Sequence, residues 1–295
     1  MTTVDLWGNE ETPFTTAKER YGIWPTTVWP CDLSDPATRR LKAAIGDDGS
    51  AREEAFTKRT DDKSVYRGKV TESIFNPAVA AWALNCWAPE GSTVFDPFAG
   101  GGTRALVAAA LGYQYLGVEL REQEVDAVLG RVERAGFSSN VTLWRGDSRR
   151  ADALVGSRRA DFLLTCPPYW NLERYDGGPA DLSQAPTLEA FEEGIEEVAR
   201  AAARVVRPGG LAFWVVGLMR DSHGVLLPLH HIVTRAHEDA GWSLAEEVVL
   251  HQQNNGAMQR VGQFDKGKKH LVRLHEYGLL MRNDALSVSP QRTTR

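Results

Sequence analysis

From Val70 onward the chain alternates short apolar runs with longer stretches whose apolar residues recur at helical spacing. The pattern predicts helix over Pro77 to Cys86, strand Thr93 to Asp96, helix Thr103 to Leu111, strand Tyr115 to Glu119 and helix Glu122 to Ala135. Strands Val141 to Trp144 and Asp161 to Thr165 follow, then helix Leu188 to Val206, strand Gly210 to Gly217, helix Leu227 to Ala240, and strands Glu246 to His251 and Tyr277 to Met281. In the long helix, Leu188, Phe191, Ile195, Val198, Ala202 and Val205 form one apolar stripe behind a Thr187 cap and run to Arg207-Pro208-Gly209-Gly210. Strands alternating with helices in this way read as an α/β domain, a mostly parallel sheet covered by helices on both faces.

The first 70 residues break this texture. Pro13, Pro25, Pro30 and Pro36 interrupt any period, and Arg39 to Lys69 is densely charged. The expected organisation is an N-terminal arm and charged loop over 1–70, a catalytic domain over 71–283, and a disordered tail over 284–295. No run approaches a membrane span and the start lacks the layering of a signal peptide, so a cytoplasmic protein is expected. Cys31, Cys86 and Cys166 are odd in number and have no metal-ligand spacing, so neither a disulfide framework nor a metal site is expected. His223, His230, His231, His270 and His275 read as structural or surface groups for the same reason. A net charge of −5 argues against a surface that is basic all over. Basic charge is instead concentrated late: between His251 and Arg282 six Lys and Arg face two acids. That stretch reads as a nucleic-acid groove or as a solvated basic loop.

The candidate chemistry begins where the strand ending in FDPFAGGGT runs straight into an alanine-rich helix. Gly100, Gly101 and Gly102 fall in a strand-to-helix turn at the carboxyl end of the sheet, where such sheets bind ligands. Asp96 can accept from a cationic amino group. The spacing is neither the usual dinucleotide fingerprint nor, lacking a lysine, a phosphate-cradling loop. Glu119 ends the next strand, 23 residues on, about where an acid grips ribose hydroxyls. Asp147 follows the third strand and is placed to accept from an adenine amino group. Each acid also has a plainer reading as a cap on the following helix.

The pair DPFAGGGT and TCPPYW, in that order, resembles the amino-methyltransferases of DNA, the N4-cytosine and N6-adenine enzymes, in their unpermuted arrangement. SIFNPAVAAWAL upstream and RLHEYGLLMR downstream resemble further elements of the family, so the likeness runs from Ser73 to Arg282; ERYGIWPTTVW is similar to the arm of some phage-encoded members. The resemblance implies a Rossmann-like S-adenosylmethionine-dependent methyltransferase fold, S-adenosyl-L-methionine as cofactor and double-stranded DNA as partner. It implies cofactor roles for Phe75, Asn76, Pro77, Asp96, Phe98, Gly100, Gly102, Thr103, Glu119 and Asp147. Catalysis is implied for Cys166, Pro167, Pro168 and Tyr169: acceptors at the strand end localise the lone pair of an exocyclic amine, the prolines stiffen the turn, and Tyr169 or Trp170 stacks on a flipped base.

Cys166 departs from the family's Ser, Asn or Asp, and a thiol is a poorer acceptor. Cys as a near-isostere of Ser favours cytosine N4 as the target. Cys166 as a thiolate adding to a pyrimidine ring is the alternative, although carbon-5 enzymes carry their Cys after a Pro and their Glu-Asn-Val partner is missing here; a packing role is the third. A methyltransferase of RNA or protein amides and a silent nucleic-acid-binding module also remain. Target recognition is expected over about 251–275, where Gln252, Gln253, Asn254 and Asn255 suit base edges and Arg260, Lys268, Lys269 and Arg273 suit guanine or phosphate. Trp24, Trp29, Trp82 and Trp87 read as core or docking residues.

Overall fold

The computed structural model describes residues 26–31, 36–46, 75–172, 175, 177–221, 223–251 and 269–285. Eight strands form one sheet in the order β1 (Val28–Pro30), β9 (Trp242–His251), β10 (His275–Asn283), β6 (Val206–Val216), β5 (Ala160–Thr165), β2 (Thr93–Asp96), β3 (Gln114–Glu119) and β4 (Val141–Arg145). Only β10 is antiparallel to its neighbours. A hairpin of β7 (Met219–Arg220) and β8 (Leu226–Leu227) stands apart.

The period of two along each strand sorts the core into two layers. Val94, Phe162, Leu164, Phe213 and Val215 face α2 (Pro77–Trp87), α3 (Thr103–Ala110) and α4 (Glu122–Arg134). Phe95, Leu163, Ala212, Trp214 and Val216 face α5 (Ala151–Val155), α6 (Leu188–Val205) and α7 (Leu229–Asp239). Chain order reverses between β2 and β5: from β2 the sheet grows one way through β3 and β4, from β5 the other way through β6. Ligands of such sheets bind at this switch point, beyond the strand carboxyl ends, and both sequence motifs leave the sheet there.

The predicted elements are found within a few residues of their expected ends, with two exceptions of note. β9 starts at Trp242 rather than Glu246, because exposed Leu244, Glu246 and Glu247 blur its alternation. The N-terminal region is not simply an irregular arm. Val28–Pro30 pairs in parallel with β9, and α1 (Pro36–Ala44) follows it. Trp29 stacks on Trp82 at 4.8 Å, and Trp82 and Trp87 both contact Phe213. These three tryptophans are packing residues; Trp24 lies outside the described residues, as do 286–295 of the expected tail.

His237 on α7 is fully buried beside Trp214, with its Nδ1–H donating to the Val233 carbonyl at 2.7 Å. Burial lowers its pKa to about 4. Between pH 6.5 and 4 the unfolded chain therefore takes up a proton that the native state refuses, so stability falls as pH falls through that window. The full loss from this group is about 3 kcal/mol. Urea unfolding at stepped pH should show this slope, and His237→Leu should flatten it.

Candidate active site

Asp96 closes β2 and is fully buried. Its Oδ2 accepts from Arg104 Nε at 2.6 Å and from the Tyr115 hydroxyl at 2.7 Å. Its Oδ1 accepts from the Thr165 hydroxyl at 2.6 Å and from the Phe98 amide at 3.0 Å. A carboxylate offers about four acceptor positions, and protein donors take all four. The direct bond from Asp96 to a cofactor amino group expected from sequence is therefore not available in this arrangement. Asp96 instead ties the end of β2 to β3, α3 and the end of β5.

Arg104 is the residue that sequence reasoning missed. It lies two positions past the glycine turn, buried, with its guanidinium 4.6 Å over the Phe75 ring and a second hydrogen bond to the Phe98 carbonyl. Burial works against its charge, but Asp96, then Tyr115 and Cys166, more than offset this and hold its pKa above the usual value. A single arginine in the otherwise apolar TRALVAAA was the signal.

The turn itself is built for close approach. Gly100 and Gly102 have φ of +51° and +79°, a region that side chains other than glycine rarely adopt. A Cβ on Gly102 would also stand 2.7 Å from Val128, so this glycine serves helix packing as well, while a Cβ on Gly101 would meet nothing within 4 Å. Thr103 opens α3 and is buried. Glu119 accepts from the Gly100 amide at 2.9 Å, and from the Arg121 amide and Nε at 2.9 and 3.3 Å, so it clasps the turn from β3. Asp147 caps the short 3-10 helix Ser148–Arg150 and is doubly bonded to Arg149, which is the plainer of its two sequence readings. Asn76 caps α2 through its Oδ1, ahead of Pro77, while its Nδ2 is buried without a hydrogen-bond partner.

Cys166 follows Thr165 directly, so the Thr165–Asp96 bond places the TCPPYW segment beside the glycine turn. Cys166 Sγ is 3.2 Å from the Tyr169 hydroxyl, which in turn donates to Glu276 Oε1 at 2.8 Å. Burial, followed by Cys166 and Glu276, holds the Tyr169 pKa well above the usual phenol value. Pro167 is buried and Pro168 half-buried in extended chain. Trp170 has φ +44°, a strained value for a bulky residue, and its indole N–H donates to the Ala185 carbonyl at 3.0 Å. Of the expected DNA contacts, Lys269 and Arg273 lie on the segment entering β10; Asn254, Arg260 and Lys268 lie outside the described residues. Among the described residues no group of three or more His, Cys, Asp or Glu is placed to hold a metal, and no helix is long and apolar enough to cross a membrane.

The fold is one shared with solved methyltransferase structures, and a family model matches part of the sequence. Residues 7–129 match N6_N4_Mtase, described as a DNA methylase; the match takes in the glycine turn and stops short of Cys166. No curated protein matches the sequence. Among solved structures, TrmN from Thermus thermophilus shares the fold at 19% identity and a TM-score of 0.50, over 75% of this chain and 51% of that one. A putative sarcosine dimethylglycine methyltransferase from Galdieria sulphuraria shares it at 12% identity and 0.50, over 81% and 99%. The chain thus spans about half the length of TrmN.

Arg104→Ala would leave Asp96 buried without its charge partner. A loss of roughly 3–5 kcal/mol is expected, read as a lower urea midpoint at unchanged slope.

Proposed function

We propose that the protein transfers the methyl group of S-adenosyl-L-methionine to an exocyclic amino nitrogen of a flipped base in double-stranded DNA, with N4 of cytosine preferred to N6 of adenine. The observation that carries this is the Thr165–Asp96 bond, which holds a cofactor-type glycine turn and a Pro-Pro-aromatic segment at one switch point. The residues present suit the cofactor. Asn76 keeps an unused buried donor for its methionine end, and the turn leaves open space at Gly101. Glu119 still has acceptor capacity beyond its three donors for ribose hydroxyls. Phe75, Pro77, Phe98 and Thr103 shape the walls, Asp147 stands at the rim, and Asp96 acts by holding the turn.

When bound, the cofactor supplies an electrophilic methyl on a sulfonium. The protein's task is then positioning. An amine conjugated to a ring is a poor nucleophile, and the Pro167 carbonyl and Cys166 sulfur are the acceptors that draw its hydrogens and orient its lone pair. Pro168 keeps the turn extended, and Tyr169 supplies the face for the base. Trp170, anchored through Ala185, borders that face, and Lys269 and Arg273, with Asn254, Arg260 and Lys268, meet the duplex.

Mass spectrometry of nucleosides from DNA incubated with the protein and S-adenosylmethionine tests the reaction. N4-methylcytosine is the expected product. N6-methyladenine would move the target base, 5-methylcytosine would make Cys166 a nucleophile, and no product on varied DNA would defeat the reading. Asn76→Ala, probed by calorimetric titration with S-adenosylmethionine, should weaken binding by about tenfold.

A further inference from the structure

Glu276 sits on β10, the strand that runs against the rest of the sheet, so its first residues reach the edge where the parallel strands end. Tyr277 pairs with Val216 at the end of β6, which brings Glu276 to the site from the far end of the chain. Its carboxylate takes the only proton of the Tyr169 hydroxyl at 2.8 Å. The phenol oxygen is then left as an acceptor, and the 3.2 Å contact to Cys166 must use the thiol proton. The longer contact from Cys166 to the Pro167 carbonyl, at 3.9 Å, competes for the same single thiol proton. The sulfur is thereby held protonated. The Tyr169 ring is fixed on a second side, because a Cβ on Gly217 would stand 2.6 Å from its edge.

We propose that Glu276 is a positioning residue for methyl transfer: through the Tyr169 hydroxyl it fixes both the plane of the ring that receives the base and the proton of the Cys166 thiol. The inference rests on the amino-methyl transfer reading above and adds a residue to it. It also gives Cys166 a definite state, a neutral thiol that accepts from the target amine rather than a thiolate that attacks a ring carbon. Glu276 carries a negative charge toward this corner of the site, and that charge, after burial, raises the pKa of the Cys31 thiol at the end of β1.

Two measurements test it, one of them independent of activity. The first is alkylation of Cys166 by iodoacetamide at a single pH, mapped by peptide mass spectrometry. Glu276→Ala and Tyr169→Phe should each speed it severalfold, because the thiol loses its place in the bonded chain. Unchanged rates in both variants would overturn the lock. The second is steady-state methylation of DNA. Glu276→Ala should lower kcat about tenfold with KM for DNA within about twofold, since a displaced platform costs rate rather than affinity. Glu276→Gln keeps an acceptor oxygen and should recover part of that loss. Tyr169→Phe combined with Glu276→Ala should be no slower than the worse single variant, because both cut the same link. Losses that multiply, or a lowered melting temperature with kcat intact, would overturn the role. If Glu276→Ala fails to fold, Tyr169→Phe and Glu276→Gln carry both measurements. A wild-type protein that methylates no DNA would sink the reading beneath the inference, and the alkylation result would then judge the lock by itself.

Discussion

Asp96 is the point on which the site hangs. Its buried carboxylate receives one donor from each of β3, β5, α3 and the turn that follows β2, so a single side chain sets the relation of four segments. A lone carboxylate in so dry a place would be costly; a guanidinium and two hydroxyls make it tolerable, and removal of any of them leaves the others mismatched. The arrangement explains why an arginine sits in the first turn of a helix otherwise made of small apolar residues. It also explains why Thr165, two residues before the Pro-Pro pair, is a hydroxyl residue. The glycine turn and the Pro-Pro segment are held in register by these bonds.

Around this centre the acids divide their labour by depth. Asp96 is consumed internally, Glu119 clasps the glycine turn and keeps acceptor capacity, and Asp147 caps a short helix at the margin. Three carboxylates at three successive strand ends look equivalent in sequence, yet their donors make them different. Reading their roles from strand position alone assigns all three to ligand; counting donors assigns the first to architecture.

Much of the fold was legible. The elements predicted between Pro77 and Ala240 follow from apolar periodicity because both layers of the sheet are strongly apolar, whereas the short α5 and the β7–β8 hairpin carried no such period; both motifs stood out because glycine and proline carry their backbone geometry openly. What was not legible depends on residues distant in sequence. Glu276 lies 107 positions from the tyrosine it holds, and nothing near it in the chain announces the contact. Val28–Pro30 is too short for a periodic signal and becomes a strand only because β9 offers an unpaired edge. Arg104 stood out only as the one charge in an apolar helix; its role was hidden because its partner sits on another element. The donor count at Asp96 likewise required Tyr115 and Thr165 in place.

The lone reversed strand has a further consequence for how the molecule is made. β10 wedges between β6 and β9, and β1, from the start of the chain, waits for β9 near its end. During synthesis the glycine turn emerges early and can pack with β2 to β5, but Tyr169 lacks its Glu276 partner until residue 276 has left the ribosome. Until then β6 exposes an edge and Trp29 has no sheet to close on. The strand that carries the partner of Tyr169 is thus the last of the described strands to be synthesised, and the contact it makes closes only when the rest of the sheet is in place.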